Sequence, residues 1–144
     1  MARPSQIQPQ HLMKFALVYI RQSSMPQVRD SSGSADVQRQ LAERARQWGW
    51  PDSRIQVIDG DLGVSGSHSG RRQAFHHMLD LMDRREVSIV FVIDASRLSR
   101  TPRDAEQFLR IATGRGVLLD INRKLFSPGD AEVIELFHLR LQNL

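Results

Sequence analysis

Two near-continuous apolar runs dominate the chain. Phe15 to Ile20 reads Phe-Ala-Leu-Val-Tyr-Ile, and Ser88 to Ile93 reads Ser-Ile-Val-Phe-Val-Ile. β-branched and aromatic residues fill both, which predicts strands, and the unbroken apolarity of the second predicts burial on both faces. Ile55 to Ile58 and Val117 to Ile121 are shorter runs of the same kind. Between them the period changes to that of a helix. Val37, Leu41, Ala45 and Trp48 recur at helical spacing, and Gly49 and Pro51 end the pattern. Phe75, Met78, Leu79 and Met82 mark a second amphipathic helix. Thr101-Pro102 has the form of an N-cap followed by proline at the first helical position; Ala105, Phe108, Leu109 and Ala112 follow, and Gly114 and Gly116 stop that helix.

Ser127-Pro128 repeats the cap signature before a last helix. Val133, Ile134, Phe137, Leu141 and Leu144 line one side of it, and Leu136 and Leu139 are apolar on another. A helix apolar on two sides is deeply buried or meets a partner chain. Nothing stops this helix at Leu144. The order β-α-β-α-β-α-β-α predicts an α/β fold: a three-layer α/β/α arrangement with a mostly parallel sheet, ending in the start of a long helix. Residues 1–14 are polar, with Pro4 and Pro9, and read as a mobile tail. Residues 15–126 form one domain, and 127–144 the start of the long helix. Ser23 to Ser34 and Gly60 to Gly70 carry loop chemistry; the second holds four glycines and three serines, so a flexible loop is expected.

Composition narrows the function classes. The 144 residues carry a net charge of +4, and lysine occurs only at Lys14 and Lys124, so the positive charge is almost all arginine. Arginine suits bidentate phosphate contact, which makes nucleic acid a candidate partner. No cysteine is present, which removes disulfides, thiolate catalysis and cysteine-based zinc sites and fits a reducing cytoplasm. No apolar run approaches the length of a membrane span, and no signal peptide is seen.

In a parallel sheet the residues just past each strand meet at one edge. Arg21 and Ser23 follow the first strand, Asp59 and Asp61 the second, Asp94 to Arg100 the third, and Asp120 and Asn122 the fourth. Ser23 is a candidate nucleophile beside a candidate phosphate clamp, Arg21. Arg97 and Arg100 stand three apart at a helix entry, where guanidinium pairs can hold phosphate oxygens and offset the charge of a pentacoordinate transition state. The loop after Asp61 lacks the Gly-Lys-Ser/Thr ending of a nucleotide-binding loop; Arg71 and Arg72 follow its last glycine. The aspartates alone would suit a Mg²⁺-dependent phosphotransfer or nuclease site, although the surrounding arginines compete for the carboxylates. His76 and His77 read as surface or packing residues. No Ser-His-Asp arrangement can be assembled.

Five stretches, in order, resemble the catalytic domain of the serine recombinases, the resolvase/invertase family, and especially its large-recombinase branch. They are Tyr19-Ile-Arg-Gln-Ser23 with Gln27, Arg39-Gln-Leu-Ala-Glu-Arg-Ala45, Asp61-Leu-Gly-Val-Ser-Gly66, Arg72-Gln-Ala-Phe75 and Asp94-Ala-Ser-Arg-Leu-Ser-Arg100. The resemblance implies a resolvase-like fold and an enzyme, a site-specific DNA recombinase. It implies that Ser23 attacks a DNA phosphodiester, leaving a 5′-phosphoserine link and a free 3′-hydroxyl, without metal, ATP or other cofactor. Arg21, Arg72, Arg97 and Arg100 fall on the family's active-site arginines, and Gln27 and Ser65 on supporting polar positions. Arg71 competes with Arg72; Phe75, three residues beyond Arg72, fits the family's apolar position.

Departures accompany the match. Ser96 stands where resolvases often carry aspartate, leaving Asp94 as the candidate leaving-group acid. The family's long helix joins subunits into dimers and a synaptic tetramer and leads to a DNA-binding domain. Here the helix is short and that domain is absent, which reads as a catalytic domain alone or a shortened chain. The implied partners are double-stranded DNA and further copies of the chain, with no membrane, in the cytoplasm of a bacterium or encoded by a phage or mobile element. A non-catalytic, DNA-associated oligomerisation module is the further alternative.

Overall fold

A computed structural model describes residues 3–20, 32–59, 68–94, 98 and 101–142, with backbone alone at 32–35, 59, 68–72 and 138–142. The elements are β1 (Phe15–Ile20), α1 (Ser32–Gln47), β2 (Ile55–Asp59), α2 (His68–Asp83), β3 (Val87–Val92), α3 (Pro102–Arg115), β4 (Leu118–Ile121), β5 (Lys124–Phe126) and α4 (Ala131–Gln142). The sheet order is β2-β1-β3-β4-β5. All pairings are parallel except β4 with β5. β1 and β3 are central neighbours, with Ala16 opposite Ile89, Leu17 opposite Val90 and Val18 opposite Phe91.

The period of two along these strands sorts the core into two layers. Ala16, Val18, Ile20, Ile89, Phe91 and Leu118 turn toward Leu41 and Ala45 of α1 and Trp48 just beyond it. Leu17, Tyr19, Val90, Val92, Leu119 and Ile121 turn toward α2, α3 and α4. The sheet is thus covered on both sides, as the unbroken apolar runs predict. Phe91 is fully buried and lies edge-on to Trp50, with ring centroids 6.4 Å apart. Truncating such a residue to alanine costs about 3–5 kcal/mol.

Local signals explain most boundaries. The Thr101 hydroxyl accepts from the Asp104 amide at 3.1 Å, Pro102 opens α3, and Gly116 closes it in the left-handed region at φ 69°. The Ser127-Pro128 signature, by contrast, opens a turn. The Ser127 amide donates to the Asp130 carboxylate and the Asp130 amide to the Ser127 carbonyl, with Gly129 at φ 88°. Helix α4 starts three residues later than Pro128, and the Asp130 carbonyl accepts from the amides of Val133 and Ile134. Val133 and Phe137 of α4 are buried, Leu136 is half-buried, and Ile134 is 40% exposed. Strand β5 is an addition to the predicted elements. A two-residue turn of Asn122 and Arg123, both at positive φ, folds it back on β4.

Residues 3–14 also differ from the expected mobile tail. Ile7 is buried, and residues Pro9–Met13 form a 3-10 turn against β1 and β3. Main-chain carbonyls hold the segment down. His11 accepts from the Ser88 hydroxyl at 2.6 Å, and Lys14 accepts from the Trp50 indole at 3.2 Å. Neither anchor is visible in the polar composition of the segment itself. Gly49 permits the close approach: at φ 116°, its missing Cβ would lie 2.9 Å from a Leu12 methyl.

Asp120 lies within β4 rather than past its end, and its carboxylate is fully buried. One oxygen, Oδ2, accepts from Arg44 Nε at 3.1 Å and lies 3.0 Å from Nη2 in the same ion pair, so α1 is tied to the sheet by charge as well as packing. The Arg44 guanidinium sits 4.3 Å over the Trp48 ring and also donates to the Arg123 carbonyl. Oδ1 of Asp120 has no hydrogen-bond partner among the described residues. Burial raises the Asp120 pKa above its ordinary 3.8, against the opposing pull of Arg44 and Arg123. Buried pairs of this kind add little net stability, because desolvation offsets attraction.

Two measurements test these contacts. Gly49→Ala forces a side chain into positive φ and against Leu12, and is expected to lose about 1–2 kcal/mol in urea unfolding; an unchanged midpoint contradicts the docked segment. For Asp120, a folded pKa above 3.8 means that the folded state holds its proton more tightly. Its stabilising contribution is complete below the unfolded value and disappears as pH rises through the folded one. Wild type should therefore gain stability relative to Asp120→Asn on acidification through that window. A relative loss would show that Arg44 outweighs burial.

Candidate active site

The carboxyl edge of the sheet is built by its two central strands. β1 ends at Ile20 and β3 at Val92, side by side and parallel. Arg21 and Ser23 follow directly on Ile20 in sequence, and Arg97 and Arg100 follow β3 after Asp94. Because β2 and β3 also run parallel, the crossover through α2 must begin at this same edge. Arg71 and Arg72 lie in the first two turns of α2. Helix α3 likewise starts here, with its Thr101 cap immediately after Arg100. The described backbone therefore places Ile20, Val92, the start of α2 and the Thr101 cap at one edge of one sheet.

The side chains themselves are another matter. Arg21, Ser23, Gln27, Ser65, Arg97 and Arg100 lie outside the described residues, and for Arg71 and Arg72 only the helical backbone is described. In the last of the five stretches, between Arg97 and Arg100 in sequence, Leu98 is 3% exposed and belongs to the core with residues of α2 and α3. Asp94, two residues past β3, is half-buried. The Asn122 amide donates to the Val92 carbonyl at 3.0 Å, joining the ends of β3 and β4 just below it.

Asp120, one of the four considered for magnesium, is committed to Arg44 inside the sheet. The Asp59 and Asp61 side chains lie outside the described residues. Among the described residues no group of three or more His, Asp or Glu side chains could hold a metal ion. His76 and His77 are both exposed on α2. Sequence reasoning overlooked Arg44 and Arg123; the signal available was Asp120, a lone charge in the apolar run Val117 to Ile121, which demands a cation from another element.

No described helix is long and apolar enough to cross a membrane.

Comparison with known proteins agrees with this architecture. The model of the resolvase N-terminal domain matches residues 16–133. The uncharacterized protein y4bA/y4pH of Sinorhizobium fredii (strain NBRC 101917 / NGR234) is 38% identical over 111 residues, 76% of this chain. The matched stretch spans only 16% of that relative's length. A resolvase family site-specific recombinase from Streptococcus pneumoniae superposes with a TM-score of 0.63 at 23% identity, covering 90% of this chain and 87% of that one. The N-terminal catalytic domain of TP901-1 integrase superposes with a TM-score of 0.59 at 22% identity, covering 90% of this chain and 94% of that one. The sheet order, the parallel central strands and the family match from Ala16 to Val133 agree: this chain belongs to the resolvase family of serine recombinases, through its N-terminal catalytic domain.

Proposed function

We propose that the chain cleaves and rejoins DNA strands through Ser23. The Ser23 hydroxyl attacks a phosphodiester phosphorus, a P–O bond forms to Oγ, and the bond to the 3′-oxygen breaks. The products are a 5′-phosphoserine link and a free 3′-hydroxyl; the serine proton leaves and the 3′-oxygen gains one. Because one phosphoester replaces another, the energy for religation stays in the protein–DNA bond, and neither ATP nor metal enters the step. The observation that carries this reading is the family match over residues 16–133, in which β1 and β3 lie adjacent and end at the same edge, at Ile20 and Val92.

Each arginine has a role in this reading. Arg21, Arg72, Arg97 and Arg100 orient the phosphate and offset the charge added in the transition state. Arg71 is the alternative to Arg72. Gln27 and Ser65 support the phosphate through hydrogen bonds. Asp94 stands near enough in sequence to Arg97 to serve the leaving oxygen. The substrate is double-stranded DNA in a bacterial cytoplasm, on a chromosome, phage or mobile element. Dimers, and a tetramer at synapsis, form through α4, whose Ile134 is exposed.

The test is a denaturing-gel assay for a covalent protein–DNA adduct on a nicked cognate site. Ser23→Ala should abolish the adduct without loss of folding stability; an adduct formed by that variant contradicts the assignment. Excess EDTA should leave the adduct yield unchanged, whereas loss on chelation favours a metal-dependent nuclease. Arg97→Ala and Arg100→Ala should each slow single-turnover cleavage by about 10²–10³-fold, as removal of a transition-state donor does. Near-normal rates would remove them from the site.

A further inference from the structure

A groove runs along the outer face of α1 and is closed on one side by the β4–β5 turn. Arg39, Gln40, Glu43, Arg44 and Arg46 of the helix line it together with Arg123 of the turn. Four of these side chains are cationic and one is anionic. Their partners divide them. Arg44 is the floor, bound to the buried Asp120 and unavailable to a ligand. Arg39 pairs with Asp36, and Arg46 with Glu43 and Asp52, all through exposed groups. Exposed pairs contribute little, so an external anion can replace these carboxylates at small cost. Arg123 bonds the Gln40 side chain and has no carboxylate at ion-pair distance among the described residues.

The backbone at Arg123 is the second observation. Asn122 and Arg123 form a two-residue turn with φ of 53° and 63°. Such a turn favours asparagine at its first position and glycine at its second. A long cationic side chain therefore stands where the backbone favours glycine, and it stands facing three further arginines. Arg39 and Arg46 are seven residues apart on the helix, about 10 Å along its axis. That separation lets the two guanidinium groups reach different phosphates of one DNA strand, whose charges recur every ~3.4 Å along the duplex axis.

We infer that this groove binds the sugar-phosphate backbone of DNA outside the site of strand cleavage, with Arg39, Arg46 and Arg123 as the phosphate contacts. The inference rests on DNA being the substrate of the chain. It does not depend on which residue is the nucleophile. The contact is independent of base sequence, because guanidinium groups on phosphates carry no sequence information. It would hold duplex flanking the cleavage point against the α1 face.

The test measures binding of this chain to a short non-cognate DNA duplex as a function of salt, where no bond is cleaved. Failure here is therefore distinguishable from failure of the Ser23 assignment, which the covalent adduct reports. Arg123→Gly should raise the Tm, because glycine suits the turn, yet lower DNA affinity roughly three- to tenfold at low salt and reduce the slope of log K against log salt by about 0.9. Arg123→Lys should keep most of that slope. Arg39→Gln with Arg46→Gln should reduce it by about 1.8. A purely structural arginine would leave affinity and slope unchanged, and that result overturns the inference. So would undetectable duplex binding by the unaltered chain, or variants that lose affinity for poly-glutamate while duplex binding is unchanged; the latter would make the groove a site for an acidic polypeptide.

Discussion

The parallel pairing of β1 with β3 is the constraint on which the remaining structure depends. Both strands are apolar at nearly every position, so neither can lie at a sheet edge or face water on one side. Two helical layers are then required, and parallel neighbours can be joined only by crossovers. The β-α-β order supplies them. Once these conditions hold, the carboxyl ends of both strands and the amino ends of the following helices share one edge. A site assembled there draws its residues from segments far apart in sequence.

Precision at such an edge requires that its loops be held from below. After β3, Leu98 places one apolar side chain in the core. The Thr101 cap fixes where that segment ends. On the other face, Arg44 and Asp120 tie α1 to β4, and the Arg123 carbonyl extends the tie to the β4–β5 turn. A hydrophobic pair in place of the ion pair would satisfy the core equally well. What the charges add is direction: Arg44 can meet Asp120 in only one register of helix on sheet. The docked N-terminal segment performs the same service at the opposite edge, covering Trp50 and the start of β3.

Much of this was legible before any coordinates. Phe15 to Ile20 is a strand from end to end, and the third strand is displaced by one residue. The cap and proline of α3 work as their chemistry dictates. The failures share a cause, which is dependence on tertiary partners. Strand β5 is three residues long, and its turn is Asn-Arg rather than the Asn-Gly that advertises a hairpin. Ser127-Pro128 resembles a helix start, but Asp130 captures the Ser127 amide and delays the helix. The N-terminal segment is polar in composition, yet one isoleucine and two main-chain carbonyls suffice to hold it. Asp120 looked like an edge residue because its cation lies 76 positions away in sequence. For the candidate site, motifs carried the assignment of Ser23 and the arginines, and the fold accounts for why those motifs stand at strand ends.

The central claim is that adjacent parallel strands bring Ser23 and the Arg97 segment together within one molecule. The chain contains no cysteine, so a pair can be introduced without background. The direct measurement is crosslinking of the Ser23→Cys/Arg97→Cys variant at high dilution with a short thiol-specific reagent, read by mass spectrometry of the joined peptides. An intramolecular crosslink between the two segments is expected in high yield. Modification of both thiols without any such crosslink would contradict it.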